Sequence, residues 1–252
     1  MQSRLTDEFA VIADIHGNID ALDAVLADIS ARGIQTILNL GDHLSGPLEA
    51  ARTADRLMAA GIACIRGNHD RQLLDRLPGA MGLSDASAYA QLTPAHLRWL
   101  GALPATLEPM EGVFAFHGTP QSDTTYLMEQ VDAQGRVSMR SRAQIEAALQ
   151  GCTAQLYLCG HTHVPRRIDL GQGRVVLNPG SVGCPAYSDV QPVPHVMQTG
   201  TACACYATLG RHAGGWHTSF HHIPYDTGAM VARAKAAGRE DWAQALAHGT
   251  LT

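Results

Sequence analysis

An α/β fold, with helices wound about a sheet whose functional edge lies at the carboxyl ends of its strands, is predicted by three features of this 252-residue sequence. Short apolar runs alternate with amphipathic stretches whose apolar residues recur three and four positions apart, the helical spacing. Polar clusters stand at the ends of the apolar runs: Asp14-x-His16, Gly41-Asp42, Gly67-Asn68-His69-Asp70, His117-Gly118 and Gly160-His161-Thr162-His163. In open α/β sheets ligands bind just there. A hydrophobic content of 46% is ample for one continuous core.

The elements follow in order. Residues 9–14 form a first strand, and residues 19–32 a helix carrying Leu22, Val25, Leu26 and Ile29 on one face, stopped by Gly33. Asn18 is placed to cap that helix and to brace a ligand. Residues 36–40 form the second strand, 48–60 a helix and 62–65 a third strand. Residues 73–111 read as a small helical cap, with Thr93-Pro94 as a helix start. Strands resume at 113–116, 156–158 and 175–177, with a polar connection over 119–135 and a short helix over 141–150. Residues 202–208 and 218–223 read as edge strands, and 228–248 as a terminal helix. The whole reads as a single domain over residues 1–252 with two sheets.

The formal net charge of −5 and the absence of a basic run argue against non-specific nucleic-acid binding. Two bound divalent cations would nearly balance that charge and attract phosphate locally. There is no apolar stretch of membrane-spanning length, and residues 1–8 lack the apolar core of a signal peptide, so the expected address is the cytoplasm. The six cysteines show no CxxC pairing and are expected to be free thiols.

Residues i and i+2 of a strand point to one side, so Asp14 with His16, and His161 with His163, can each serve one ion. Carboxylate oxygen with imidazole nitrogen suits Mn²⁺, Fe, Zn²⁺ or Ni²⁺ better than Ca²⁺. Five strand ends carrying such ligands indicate a dinuclear site. Gly17, Gly41, Gly67 and Gly160 are expected to allow sharp turns and close backbone approach there.

These clusters, with Asn178-Pro179-Gly180-Ser181-Val182-Gly183 and Ile223-Pro224-Tyr225-Asp226, make residues 9–226 similar to the calcineurin-like metallophosphoesterases, within them the small bacterial phosphodiesterase branch. The resemblance implies a four-layer αββα sandwich holding two metal ions between its sheets. It places Asp14, His16 and His163 on one ion, Asn68, His117 and His161 on the other, and Asp42 between them. It also implies that His69 contacts phosphate and protonates the leaving alkoxide, with Asp70 orienting its ring. Two cations roughly 3.5–4 Å apart sharing a carboxylate and a water would supply hydroxide for in-line attack on phosphorus. Neutral Asn68 would complete the ligands without adding negative charge.

The implied reaction is hydrolysis of a phosphodiester or nucleotide. A phosphomonoesterase or protein phosphatase, and a non-catalytic scaffold of the same fold, are the alternatives. Two departures concern the substrate. His43 follows Asp42 where many relatives carry an apolar or small residue, and is read as structural or as an accessory contact. Cys184-Pro185-Ala186-Tyr187-Ser188 stands where many relatives place an arginine, so Arg140, Arg142, Tyr126 and Tyr187 become the candidate substrate contacts. His212, His217, His221 and His222 read as surface histidines.

Overall fold

A computed structural model describes residues 8–212 and 215–251. The expectation for the amino-terminal leader falls mainly on residues outside that range, as does the side chain of His212.

In the first half β1 (Glu8–Ile12), α1 (Ile19–Ala31), β2 (Ile37–Asn39), α2 (Ala50–Ala60) and β3 (Ala63–Cys64) alternate, and β1, β2 and β3 pair in parallel. Three short helices follow, α3 (Asn68–Asp75), α4 (Leu83–Tyr89) and α5 (Pro94–Ala102). The next segment comprises β4 (Thr106–Met110), β5 (Val113–Phe116), β6 (Glu129–Val131), β7 (Val137–Met139), α6 (Arg142–Ala148), β8 (Leu156–Leu158), β9 (Arg166–Gly171) and β10 (Arg174–Asn178). The chain closes with β11 (Ala186–Asp189), β12 (His195–Gln198), β13 (Ala204–His212), β14 (Gly215–Ile223), α7 (Gly228–Ala236) and α8 (Glu240–His248).

Two five-stranded mixed sheets result, ordered β14-β13-β1-β2-β3 and β4-β5-β8-β10-β9. Strand periodicity explains how they stack. Phe9, Val11 and Ala13 join Leu38, Leu40, Val113, Ala115, Leu156, Leu158, Val175 and Leu177 in one apolar cluster between the sheets. The alternate residues Ala10 and Ile12 face α1 and the carboxyl-terminal helices, while Phe116, Tyr157 and Val176 face α6. Because both faces of the central strands are covered, they read as nearly continuous apolar runs. The layers are helices, sheet, sheet, helix.

Three expectations need correction. The helical cap ends at Ala102 rather than near residue 111, because Pro104 stops α5 and Thr106–Met110 pairs antiparallel with β5 through a turn at Gly112, φ 78°. The terminal helix is two helices, interrupted at Gly238 with φ 69°. Residues 202–208 are not an edge strand, since β13 lies between β1 and β14. The expected polar connection over 119–135 also contains β6, which pairs with β7, and the segment that includes residues 184–200, for which the sequence predicts no element, forms the β11–β12 hairpin.

All six cysteines are free. Among the described residues, no helix is long and apolar enough to cross a membrane. His217 and His222 lie exposed on β14, and His221 stacks on Tyr206 with ring centroids 4.7 Å apart.

Candidate metal centre

The polar clusters meet at one edge because the parallel strands end there together. Asp14 and His16 follow β1, Asp42 follows β2, Asn68 opens α3 after β3, His117 follows β5, and His161 and His163 follow β8. Backbone hydrogen bonds tie the loops to one another: Asp14 N–H donates to Gly41 O at 3.0 Å, His16 N–H to Asp42 O at 3.0 Å, and Gly160 N–H to His117 O at 2.8 Å. The loop after β10 clamps the two sheets. Ser181 Oγ donates to Asp14 O at 2.7 Å, while Asn178 Nδ2 donates to Gly160 O at 2.7 Å. Asn18 caps α1 through Ala21 N–H and donates to Gly183 O at 3.0 Å and Tyr225 Oη at 2.9 Å.

Two groups of potential ligands form, Asp14 with His16 and His163, and Asp42 with His117 and His161, the ligand atoms of each lying within 4.8 Å of one another. Asn68 Oδ1 joins the second, 3.1 Å from His117 Nε2. Asp42 Oδ2 lies 3.2 Å from His117 Nε2 and 3.9 Å from His16 Nε2, so it faces both groups. A side chain on Gly67 would collide with Asp42 Oδ1, which is why the backbone can come this close only at glycine.

The ring tautomers test whether a cation fits. His16 Nδ1 donates to Ser45 O at 2.7 Å, His163 Nδ1 to Cys184 O at 2.6 Å and His117 Nδ1 to Leu40 O at 2.7 Å. A carbonyl only accepts, so each Nδ1 carries hydrogen and each Nε2 is free to ligate. Burial lowers His16 to about 4 and pushes His163 far down, so both rings are neutral. Their Nε2 lone pairs nevertheless face each other at 3.2 Å, an arrangement a cation between them satisfies.

The carboxylates give the same answer. Burial, opposed by His117 and reinforced by Asp42, lifts Asp14 to about 8. Burial alone would lift Asp42 too, but His117, His69 and His16 outweigh it and keep this carboxylate ionised. His117 is lowered by burial and raised more strongly by Asp42 and Asp14, to about 10, so a proton on Nε2 neutralises the cluster where a metal ion would.

A pH effect follows. With metal removed, Asp14 and His117 both bind more protons folded than unfolded between pH 6.5 and 8, so stability falls as pH rises through that window. The lowered His16 and His163 do not oppose it there, because their unfolded forms have already lost the proton. Thermal unfolding in chelator should show this decline, and Asp14→Asn should lessen it while leaving the part due to the raised histidines His43, His69 and His117. With metal the trend reverses, since affinity rises as ligands shed protons.

Backbone torsions single out the same residues. Among the described residues, six non-glycine positions have positive φ, and five of them are Asp14 (55°), His16 (52°), Asp42 (55°), His161 (70°) and His163 (62°). Each left-handed residue costs roughly 1–2 kcal/mol, and such strain gathers at functional sites.

Around this centre the expected contacts divide. Asp70 does not orient the His69 ring. It accepts from the backbone N–H groups of Asp42, His43 and Gly67 and from His43 Nδ1 at 2.7 Å, because α3 begins at Asn68 and places Asp70 at its third position. His43 is fully buried against Trp99 and is therefore a brace for this carboxylate. The partner of His69 Nδ1 is Asp85 Oδ1 at 2.7 Å, a residue of α4 that also accepts from Ser45 Oγ at 2.6 Å. Burial would lower His69, but Asp42 and Asp85 hold it up to about 9. Nothing marked Asp85 in the sequence, where an acid in a first helical turn reads as a cap.

Tyr126 and Tyr187 line the centre, with rings 5.0 Å from His161 and 4.6 Å from His163. Their hydroxyls meet at 2.7 Å, and Tyr187 donates to His161 O at 3.2 Å. Arg140 lines a cavity of about 710 Å³ that also reaches Asn68, His69 and His161. Arg142 does not belong with them. It projects from α6 onto Glu146 at 3.3 Å, where helical spacing supplies a nearer carboxylate. A second cavity, of about 220 Å³, lies over His16, Asp42, Asn68, His69, His161 and His163 and runs to Tyr187 and Trp242.

Comparison with known proteins agrees with this geometry. Residues 8–200 match the model of the Calcineurin-like phosphoesterase superfamily domain. An uncharacterized protein of Methanocaldococcus jannaschii is 27% identical over 198 residues, 70% of this chain and 76% of that one. A metallophosphoesterase from Sphaerobacter thermophilus superposes with a TM-score of 0.76 at 25% identity, covering 96% of this chain and 99% of its own. A putative diadenosine tetraphosphatase shares the fold at a TM-score of 0.52 and 17% identity, over 86% and 95% of the two chains.

Proposed function

The chain belongs to the calcineurin-like phosphoesterase superfamily, and on that premise we propose that it is a dinuclear-metal-dependent phosphoesterase cleaving P–O bonds of a phosphodiester or nucleotide. The observation that carries this reading is the convergence of imidazole nitrogens on Asp14 and Asp42, with Nδ1 of His16, His117 and His163 each tied to a carbonyl. Asp14, His16 and His163 would hold one ion and Asn68, His117 and His161 the other, with Asp42 shared. Two divalent cations, Mn²⁺ foremost and otherwise Fe, Zn²⁺ or Ni²⁺, supply Lewis acidity that activates water and neutralises phosphoryl oxygens.

The chain's own groups do the rest. Asp85 keeps hydrogen on His69 Nδ1, leaving the proton on Nε2 available to a departing alkoxide. Asp70 holds the backbone of Asp42, so the shared carboxylate is aimed before substrate arrives. Tyr187 and Trp242 narrow the approach of water.

Two cavities favour a diester over a monoester. Both reach Asn68, His69 and His161, yet one leads toward Trp242 and the other toward Arg140, so each ester arm has a place. The six free thiols support the cytoplasm as its compartment.

Protein stripped with chelator and reloaded with Mn²⁺ should hydrolyse bis(p-nitrophenyl) phosphate with at least about tenfold higher kcat/KM than p-nitrophenyl phosphate, a difference of about 1.4 kcal/mol in barrier. A preference for the monoester would replace this reading with a phosphomonoesterase.

A further inference from the structure

The smaller cavity over the metal centre is closed by residues beyond the part of the chain that matches the family. Trp242 of α8 sets its ring edge-on to His16 at 5.9 Å and fits against Gly46, where a side chain would strike it. Arg239, immediately before α8, is the single cationic side chain lining this cavity besides the histidines. Its guanidinium is already engaged: Nε and Nη2 donate to the Asp241 carboxylate at 2.9 and 2.7 Å, and Nη1 donates to Ser84 Oγ at 3.0 Å. Its face lies over the Trp242 ring at 5.8 Å. Asp189, on the β11–β12 hairpin, brings a second carboxylate to the same wall.

Past the metal ligands, then, two carboxylates stand against one arginine, three of whose five N–H groups are already engaged and whose charge is paired with Asp241. We propose that this cavity binds one arm of the ester, and that the arm is neutral and hydroxylated, of glycerol or pentose size, and carries no second phosphate. This rests on the phosphoesterase reading above. Hydroxyl groups donate to Asp189 and Asp241, and the carbon skeleton lies against the faces of Trp242 and Tyr187. Away from His69, a second phosphate would meet Asp189 and an arginine already paired with Asp241, in a partly enclosed space. At about 220 Å³ the cavity falls below the roughly 300–1,000 Å³ of pockets that enclose drug-sized ligands, so a short arm fits and a whole dinucleotide does not.

Calorimetric titration of Mn²⁺-loaded protein with inorganic phosphate, glycerol 1-phosphate and glycerol 1,3-bisphosphate tests this without turnover. Glycerol phosphate should bind at least about tenfold more tightly than inorganic phosphate, equivalent to about 1.4 kcal/mol, and the bisphosphate more weakly than the monophosphate. Asp241→Asn releases Arg239, so the affinity ratio of bisphosphate to monophosphate should rise at least tenfold. Asp189→Asn, which removes the carboxylate not paired with Arg239, should move the ratio the same way. A bisphosphate that binds the unaltered protein as tightly as the monophosphate overturns the proposal, as does a ratio unmoved by both substitutions. If inorganic phosphate binds and the aryl diester is cleaved while no arm preference appears, only this proposal fails. Absence of both phosphate binding and cleavage removes the phosphoesterase reading with it.

Discussion

Asp42→Asn should lower kcat/KM for an aryl phosphodiester by roughly 10³-fold, a loss of about 4 kcal/mol of transition-state stabilisation. The amide preserves the volume of the side chain and removes its charge. Asp42 is the carboxylate whose Oδ2 faces an imidazole of each ligand group, and its Oδ1 accepts the His69 backbone N–H at 2.9 Å. Losing that charge leaves Asp14 as the single carboxylate among the proposed ligands, so metal content measured on the purified variant should drop from two ions to one or none. Retention of two ions with kcat/KM within tenfold of the unaltered protein would remove Asp42 from the shared position.

The second large effect depends on the leaving group. His69→Ala should slow cleavage of an alkyl diester by about 10²–10⁴-fold, the range of a lost general acid, while p-nitrophenolate, which departs without a proton, should be affected far less. Asp85→Asn should act in the same direction, more weakly. The carboxylate raises the pKa of the ring, so on the alkaline side activity should fall as His69 loses its proton, and the Asp85 variant should shift that limb to lower pH. Equal sensitivity of the alkyl and aryl substrates to His69→Ala would show that the ring binds phosphate and transfers no proton.

Much of this candidate site was legible because its candidate ligands follow strands. A run such as 9–14 or 156–158, apolar on both faces, ends where the sheet edge begins, and Asp14, His117 and His161 stand at those ends. Legibility failed where partners come from elements with no fixed relation to the sheet. Asp85 reaches His69 only because α4 folds back over α3, and sequence adjacency pointed instead to Asp70, whose helical position turns it toward Asp42 and His43. Arg142 failed for the opposite reason: local spacing handed its guanidinium to Glu146 before any pocket could use it. In the fold, β4 was hidden by the helical pattern before it. Pro104 marks the change, and pairing with β5 supplies the rest.

The left-handed torsions at Asp14, His16, Asp42, His161 and His163 carry a consequence for which donors this edge can use at all. Glutamate and cysteine bind divalent metals as capably as aspartate and histidine, yet among non-glycine residues it is Asn, Asp and His that enter this torsional region most readily. The alphabet of ligands is therefore narrowed by backbone geometry before coordination chemistry chooses among its letters. Replacing Asp14 with glutamate would disturb the chain's path as well as lengthen its reach, so a redesign of the metal preference has to begin with the turns.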